Sequence, residues 1–269
     1  MLRDELSRGA AELAAAGCES PRLDAELLLA EALGVSRAQL VIGGRDPVHA
    51  GALDRFGELL ARRRAREPVA YILGRREFRR LTLEVDSRVL IPRPETELLV
   101  EVGVELVAQG ARVADVGTGS GAIALALKDE RADLVVTGLD ASRQALAVAR
   151  RNGERLGLDV RWRLSDLLDS GGYDVVVANL PYVASTEALA PEIVEYEPSA
   201  AVFAGEDGLE LVRRLVGQVS RRDDVRLLAL EIGAGQADAV GELLIGGGFA
   251  SVARRRDLAG IERVVLGRR

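Results

Sequence analysis

The spacing of hydrophobic residues changes along the 269-residue chain. Over the first 70 or so residues, apolar positions lack the period-2 alternation of strands and are typical of helices. Ser20-Pro21 and Asp46-Pro47 each place a capping residue before a proline, and Gly34 follows an apolar run, as at a helix end. We therefore predict a small helical bundle over residues 1–70, whose last helix begins at about Pro47.

Short β-like runs follow the helical region. Residues 70–73 and 81–85 form two such runs around a charged stretch, so we predict a β-hairpin linker over residues 71–91. Pro92 and Pro94 then exclude a strand interior, and the acidic residues after them suit the first turn of a helix from Glu95 to about Gln109. The larger domain is expected to occupy residues 92–269.

From Ala111 onward, apolar strand candidates alternate with helical segments. This alternation predicts βαβ units and an α/β fold with a doubly wound, mostly parallel sheet. The last two candidates are joined by a loop too short for a crossover helix, so we expect them to pair antiparallel. The candidates are residues 113–116, 134–139, 160–164, 175–178, 227–231, 251–255 and 263–266.

Composition restricts the classes of function. A net charge of −6 and a pI near 5.2 argue against a protein that coats nucleic acid, so we expect no stable nucleic-acid complex. The single Cys18 and single His49 exclude an internal disulfide and a Cys/His zinc site, and no metal is expected. No apolar leader and no membrane-length segment is visible, so we predict a cytoplasmic protein without membrane contact, acting as a monomer.

One cluster of arginines stands at the end of the last predicted helix of the bundle. Arg62-Arg63-Arg64 and Arg66 are expected to form a solvated helix end, where positive charge interacts favourably with the helix dipole. The alternative is a docking face for an acidic or phosphate-bearing partner.

A glycine-rich loop follows the first strand candidate of the larger domain. Its residues Gly117, Thr118, Gly119, Ser120 and Gly121 join that strand to a helix over 122–128. Glycines let the backbone approach a ligand closely at the carboxyl end of the sheet, the usual binding edge of open α/β folds. The glycine spacing fits either a dinucleotide or S-adenosylmethionine and does not decide between them.

Further polar residues follow the next strands. Asp140 ends the second candidate and is suited to accept hydrogen bonds from ribose hydroxyls, while Asp166 follows the third and is suited to bind an adenine amino group, with Leu167 packing on the ring. These acidic residues, and Asp115 just before the glycine loop, also have simpler interpretations. Asp115 would cap the loop, Asp140 would cap a helix, and Asp166 would be a solvated turn residue. Their occurrence at the ends of successive strands favours S-adenosylmethionine.

The fourth strand candidate ends in the tetrad Asn179-Leu180-Pro181-Tyr182, called the Asn179 tetrad below. An amide or amino nitrogen that acts as a nucleophile carries N–H groups that a site must hold. Asn179 Oδ1 and the Leu180 carbonyl are suitable acceptors for two of them. Pro181 stiffens the turn, and Tyr182 offers an apolar face to a planar group. The tetrad therefore indicates methyl transfer to such a nitrogen, although a packed tyrosine at a strand end is the simpler interpretation.

Over nearly its whole length, the chain resembles the HemK family of peptide chain release factor N5-glutamine methyltransferases, within the class I S-adenosylmethionine-dependent methyltransferases. The resemblance is specific in the linker and in later landmarks as well as in the glycine loop. The matching motifs are Arg66-Glu67-Pro68-Val69-Ala70-Tyr71-Ile72-Leu73-Gly74, Leu90-Ile91-Pro92-Arg93-Pro94-Glu95-Thr96-Glu97, Glu195-Tyr196-Glu197-Pro198, Gly205-Glu206-Asp207-Gly208-Leu209 and Glu231-Ile232-Gly233.

The resemblance implies a seven-stranded Rossmann-like methyltransferase sheet and an N-terminal helical domain that helps to seat a release factor. It implies direct transfer from S-adenosylmethionine to the glutamine of the factor's Gly-Gly-Gln loop. The catalytic residues would be Asn179, Pro181 and Tyr182, and the substrate-binding residues would be the Asn179 tetrad with Arg93. Asn179 would also contact the cofactor. One departure is Leu180, where the family usually has proline.

Three alternatives remain open from the sequence. Asn-Leu-Pro-Tyr is also similar to the motif of ribosomal RNA adenine methyltransferases, and arginine clusters such as Arg254-Arg255-Arg256 fit a nucleic-acid amino methyltransferase. A methyltransferase for a ribosomal-protein glutamine is the second alternative. The third is a protein that binds S-adenosylmethionine as a scaffold or regulator without turnover.

Overall fold

The structure is a computed structural model that describes residues 2–42 and 49–269. It divides the chain into two compact units. The helical unit comprises Met1–Arg75 together with Leu189–Tyr196, and the sheet unit comprises Arg76–Ala188 together with Glu197–Arg269. The helix start predicted at Asp46-Pro47 lies outside the described residues.

The helices and strands of the described residues are named in chain order. The helices are α1 (Leu2–Ala15), α2 (Pro21–Leu33), α3 (Arg37–Ile42), α4 (Ala50–Arg64), α5 (Val69–Leu73), α6 (Glu97–Leu106), α7 (Ala122–Glu130), α8 (Arg143–Leu156), α9 (Pro191–Tyr196), α10 (Glu210–Val219) and α11 (Ala237–Gly246). The strands are β1 (Arg75–Phe78), β2 (Leu81–Glu84), β3 (Arg112–Val116), β4 (Val135–Asp140), β5 (Arg161–Leu164), β6 (Val175–Ala178), β7 (Leu227–Glu231), β8 (Ser251–Arg256) and β9 (Glu262–Arg268). None of these helices is both long and apolar enough to cross a bilayer.

The helical unit forms as its sequence signals predict. Helix α2 begins at Pro21 directly after Ser20, and it ends before Gly34, whose φ of +66° is the left-handed conformation that glycine adopts without strain. At the start of α4, His49 is the N-cap, and its Nδ1 accepts the Ala52 N–H at 3.1 Å. The helices enclose a core of their own.

The strand predicted at residues 70–73 is wrong, because these residues form the helix α5. A four-residue apolar run fits one helical turn as well as a strand, and the residues at its ends decide between them. Pro68 starts the turn, and Gly74 at φ +70° ends it by donating its N–H to the carbonyls of Ala70 and Tyr71. The hairpin therefore begins later, with β1 and β2, and the second predicted strand is confirmed.

Arg63 is buried, so the prediction of a solvated helix end is wrong for this residue. Its guanidinium donates to Asp24 at 2.7 Å and to Glu192 at 2.9 Å. Glu192 lies on α9 and also accepts from Arg66 at 2.5 Å. The other two arginines of the cluster pair with carboxylates as well. The charge of the cluster is thus balanced within the helical unit, which argues against a docking face for an anionic partner.

The sheet unit contains a seven-stranded sheet with the order β5-β4-β3-β6-β7-β9-β8. The pairs from β5 to β7 are parallel, while β9 runs antiparallel to both β7 and β8. The predicted doubly wound, mostly parallel sheet and the antiparallel final pair are confirmed. Each predicted strand agrees with the observed one to within about two residues, the usual uncertainty of such boundaries.

Both faces of the sheet are buried, which explains why its strands are continuously apolar. Side chains at alternate positions of the central strands enter two separate cores. Val113, Val175 and Val177 pack with α6 and α7, whereas Val116 and Val176 pack with α10 and α11. Chain order along the sheet reverses at β3, which lies between β4 and β6. Open α/β sheets bind ligands at such a reversal, beyond the carboxyl ends of the strands.

Candidate functional site

A cavity of about 500 Å³ lies at the carboxyl edge of the sheet, within the sheet unit. Residues that follow β3, β4, β5 and β6 form much of its wall, and residues 87–90 together with Pro198, Ala200 and Ala201 contribute further parts. Most of the site residues predicted from the sequence line it, namely Gly117, Gly119, Asp140, Asp166, Leu167, Asn179, Leu180 and Pro181.

The remaining residues of the glycine loop are Thr118, Ser120 and Gly121. Thr118 and Ser120 are buried, and the Thr118 hydroxyl donates to Asp115 at 2.6 Å. Gly121 has φ +85°, and a Cβ there would lie 2.9 Å from Trp162 and 3.0 Å from Leu125. Only glycine combines this conformation with such close packing. None of these three loop residues is among those that line the cavity.

Asp115 caps the loop, the role that the simpler interpretation of the sequence gave it. Its Oδ2 accepts the Thr118 hydroxyl and, at 3.1 Å, the N–H of Ala124 near the start of α7. Its Oδ1 is buried without a partner among the described residues. Burial raises the pKa of Asp115 to about 7, and the two hydrogen bonds oppose this rise only in part.

This buried carboxyl predicts a pH-dependent difference in stability between the wild type and Asp115→Asn. Because the pKa of Asp115 is higher in the folded protein than its ordinary value of 3.8, the proton stabilises the fold. That contribution is complete below pH 3.8 and is lost as the pH rises through about 7. Relative to the variant, the wild type should lose up to about 1.4 kcal/mol of unfolding free energy per pH unit in this window.

Urea unfolding of both proteins at a series of pH values measures this difference. Taking the difference cancels the other titrating groups, including Glu231, whose carboxyl is retained in both proteins. Parallel curves of unfolding free energy against pH would show that the Asp115 carboxyl does not hold its proton in the folded state.

Asp140 retains acceptor capacity at the cavity. Its Oδ1 accepts the Ser142 N–H at 2.8 Å, and its Oδ2 accepts the Gly119 N–H at 2.9 Å. Burial raises the pKa of Asp140, and these two backbone hydrogen bonds oppose the rise. Each carboxylate oxygen has a further lone pair. The residue therefore orders the loop and can also accept from ligand hydroxyls.

Asp166 and Leu167 lie together at the cavity but differ in exposure. Asp166 is exposed, and its Oδ2 accepts from Arg214 at 2.5 Å. Leu167 is buried and has φ +65°, a left-handed conformation that is rare for a leucine. The cavity thus has an apolar wall at Leu167 beside a surface carboxylate.

The Asn179 tetrad directly follows β6. Asn179 Nδ2 donates to Thr96 Oγ1 at 3.0 Å, while no described residue donates a hydrogen bond to Asn179 Oδ1 or to the Leu180 carbonyl. The Leu180 side chain is buried, and its Cδ2 lies 3.1 Å from the position that a Cβ on Gly117 would occupy. The two acceptors predicted from the sequence therefore stand without described protein donors beside the glycine loop.

Tyr182 is held through its backbone and is not among the residues that line the cavity. Its carbonyl accepts from Gln236 Nε2 at 3.0 Å, and Gln236 Oε1 in turn accepts the Gly233 N–H at 2.9 Å. Gly208 packs directly against the same carbonyl. Burial and the nearby Glu231 carboxyl both raise the pKa of Tyr182.

Arg93 contacts Glu197 and does not reach the cavity wall. The two side chains form an ion pair in which Glu197 is almost fully buried. The second oxygen of Glu197 accepts the Ile91 N–H at 3.1 Å. In this position Arg93 braces the residues that precede α6.

Three residues near the Asn179 tetrad were not assigned a role from the sequence, namely Thr96, Glu231 and Gln236. Glu231 is a polar residue at the end of an apolar strand, and the rule that selected Asp140 and Asn179 would also have selected it. Thr96 and Gln236 carry no such signal, because their contacts connect residues far apart in the chain. The hydrogen bond from Asn179 to Thr96 spans 83 residues.

Two protein families match separate parts of this chain. Residues 4–74 match the family described as PrmC N-terminal domain. Residues 94–206 match the family described as methyltransferase small domain, and this range contains the glycine loop and the Asn179 tetrad.

Curated relatives extend the match to nearly the whole chain. A release factor glutamine methyltransferase of Pseudomonas aeruginosa is 47% identical over 255 residues, which cover 92% of each chain. One of Rhodospirillum rubrum is 40% identical over 272 residues, covering 98% of this chain and 84% of the relative. Among solved structures, the N-terminal domain of human METTL16 has a TM-score of 0.53 at 18% identity, covering 79% of this chain and 83% of its own, which shows a shared fold.

Proposed function

Because this chain belongs to the family of release factor glutamine methyltransferases, we propose that Asn179 and the Leu180 carbonyl hold the side-chain amide of a release-factor glutamine for methylation. The protein is an S-adenosylmethionine-dependent methyltransferase that acts on release factor glutamine. The observation that carries the proposed roles is the pair of acceptors in the tetrad, which have no donor among the described residues.

The cavity suits the cofactor. When bound, S-adenosylmethionine supplies a methyl group activated by a positively charged sulfur. Asp140 has free lone pairs for ribose hydroxyls, and Leu167 offers an apolar wall for a ring. Gly117 and Gly119 leave the loop backbone open to a ligand. We assign the adenine amino group to Asp166, which is exposed at the cavity and must share its carboxylate with Arg214.

The tetrad orients the substrate nitrogen. An amide nitrogen has a delocalised lone pair that is perpendicular to the plane of its two N–H groups. Two acceptors that receive these hydrogens in the plane therefore leave a face of the nitrogen free to react. Asn179 Oδ1 and the Leu180 carbonyl are neighbours in the chain and can receive one N–H each. Holding the nitrogen in this way supplies most of the acceleration through proximity and orientation. The glutamine nitrogen would gain the methyl group as the sulfur–carbon bond breaks, with release of S-adenosylhomocysteine. Its proton becomes acidic in that step, so water can accept it and no strong base is needed.

Leu180 replaces the proline that the family usually has at this position, yet the tetrad retains two constraints. Pro181 fixes its own φ and favours an extended conformation at Leu180. The buried Leu180 side chain packs against Gly117 and thereby links the tetrad to the glycine loop. Tyr182 then provides an apolar face beside the substrate amide.

We also propose the following about partners and location. The helical unit helps to seat the release factor, whose methylated glutamine lies in its Gly-Gly-Gln loop. The protein acts as a monomer in the cytoplasm, where release factors meet the ribosome, and forms no stable complex with nucleic acid. The net charge of −6 and the pairing of the arginines in the helical unit support the last point. Light scattering of the purified chain measures its mass in solution.

A methyl-transfer assay with labelled S-adenosylmethionine tests the proposed substrate. Wild-type release factor, its Gln→Ala loop variant, ribosomal protein and ribosomal RNA are offered in parallel. Label on the wild-type factor but not on its variant is the expected result. Label on RNA would replace the proposal with an amino methyltransferase of nucleic acid. Binding of the cofactor without label on any substrate would favour a scaffold.

A further inference from the structure

Glu231 is a buried carboxyl next to the Asn179 tetrad. It is the last residue of β7 and only 2% exposed, and its Oε2 has no hydrogen-bond partner among the described residues. Strands β6 and β7 are parallel neighbours, with Ala178 opposite Leu230. Asn179 and Glu231 therefore leave adjacent strands at the same edge of the sheet.

Thr96 lies close to both side chains. It is buried at 4% exposure, its Oγ1 accepts from Asn179 Nδ2 at 3.0 Å, and its hydroxyl is near enough to the Glu231 carboxyl to lower the pKa of that group. Thr96 is also the N-cap of α6, but its side chain makes no capping hydrogen bond there. An N-cap threonine normally accepts an N–H of the first helical turn. Here the Thr96 oxygen accepts from Asn179 instead.

The number of hydrogens in this chain of contacts determines which way the Asn179 amide faces. A threonine hydroxyl has one hydrogen, and an ionised carboxylate can only accept. When that hydrogen is donated to Glu231, the Thr96 oxygen can only accept from Asn179. The Thr96 oxygen must then face Asn179 Nδ2 and not Asn179 Oδ1, so Asn179 Oδ1 is left as the free acceptor.

We propose that the Thr96 hydroxyl donates its hydrogen to Glu231, and that Glu231 is thereby a positioning residue that selects the orientation of the Asn179 amide in which Oδ1 is available to the substrate. The proposal rests on the function proposed above, in which Oδ1 receives an N–H of the glutamine. With the amide reversed, Nδ2 would meet that N–H, and two donors would face each other.

The surroundings of Glu231 make this device sensitive to pH. Burial, and to a smaller extent Glu95, raise the pKa of Glu231 to about 7 against the opposing effects of Thr96, Arg263 and Arg93. The Glu231 carboxyl in turn raises the pKa of Tyr182. Below this pH a protonated Glu231 can donate to the Thr96 oxygen. The Thr96 hydrogen is then free to turn toward Asn179, and the amide orientation is no longer determined.

The test compares Glu231→Gln, Thr96→Val and Thr96→Ser in the full-length protein, with release factor and labelled S-adenosylmethionine as substrates. A glutamine at 231 can donate to Thr96, so it removes the selection without changing the shape of the side chain. We expect Glu231→Gln and Thr96→Val to lower kcat about 10- to 100-fold, with the Kd for S-adenosylmethionine within about threefold of wild type. Thr96→Ser retains the hydroxyl and should retain most of kcat.

Two further readouts separate positioning from a merely structural role. The kcat of the wild type should fall as the pH drops below about 7, and Glu231→Gln should lack this dependence. Adding Glu231→Gln to Thr96→Val should change kcat by less than about twofold, because both act through the same hydroxyl. Glu242→Gln, a substitution of an exposed glutamate on α11, is the control and should match the wild type.

Several results would overturn this inference. One is a kcat for Glu231→Gln that stays within twofold of the wild-type value. The others are an equal loss of kcat in Thr96→Ser and Thr96→Val, and losses of kcat that multiply in the double variant. These results are distinct from failure of the proposed function, because that failure would appear in the wild type itself, as a lack of label on the release factor.

Discussion

Replacing Asn179 by alanine is expected to lower the kcat for glutamine methylation about 100-fold, which corresponds to about 2.7 kcal/mol of transition-state stabilisation. The substitution removes the Oδ1 acceptor and leaves the substrate amide held by the Leu180 carbonyl alone. The Kd for S-adenosylmethionine should stay within about threefold of the wild-type value, because Asp140 and the glycine loop retain their contacts. Steady-state kinetics and isothermal titration calorimetry measure the two quantities.

A matched control for Asn179→Ala is available on the same segment. Ser185 is exposed, and the structure records only a backbone hydrogen bond for it, from its N–H to the Gly205 carbonyl at 2.9 Å. Ser185→Ala should therefore behave as the wild type in both assays. Equal losses of kcat and cofactor affinity in Asn179→Ala would contradict a role in orienting the substrate, since they would point to a residue that mainly holds the cofactor.

Replacing Gly208 by alanine is expected to damage both stability and turnover. Gly208 has φ +74°, and an added Cβ would lie 2.1 Å from the Tyr182 carbonyl oxygen and 2.8 Å from its carbon. These are backbone atoms, so the clash can be relieved only by moving the tetrad or the loop that carries Gly208. Such a shift also disturbs the hydrogen bond that Gln236 donates to Tyr182. We expect kcat to fall at least about tenfold.

Gly260→Ala provides the comparison for the backbone effect. Gly260 has φ +80°, but nothing lies within 4 Å of an added Cβ. Both substitutions cost about 1–2 kcal/mol of unfolding free energy from the left-handed conformation. Only Gly208→Ala should lose additional stability and kcat. Urea unfolding and kinetics of the two variants check this, and identical behaviour would show that the contact with Tyr182 is not important.

The success of the sequence predictions for the sheet has a local cause. The strands of a doubly wound sheet are buried on both faces, so their apolar runs are visible in the sequence and end where polar residues begin. The run at residues 175–178 was predicted with the bounds of β6. Residues 70–73 were misassigned because a four-residue apolar run is equally compatible with a turn of helix, and Pro68 and Gly74 decided the outcome.

Long-range contacts account for what the sequence did not reveal in the helical unit. Glu192 lies far along the chain from Arg63 and Arg66, yet it pairs with both. The sequence does not indicate that Leu189–Tyr196 belongs to this unit, so these arginines resemble those of any exposed helix end. Burial of Arg63 is tolerated because its charge is compensated by two carboxylates.

Local patterns in the amino-acid sequence are enough to predict the type of most elements, the mostly parallel sheet, and the positions of the glycine loop and the Asn179 tetrad after their strands. These are consequences of local hydrophobic periodicity, and parallel pairing then brings the ends of the strands to one edge. Which polar side chains face the cavity, and which form hydrogen bonds within the protein, depends on the three-dimensional fold. Asp115 turns inward to cap the loop, and Asn179 donates to Thr96, which lies 83 residues away in the chain. Such hydrogen bonds depend on side-chain directions and on contacts between distant segments, which no local pattern encodes.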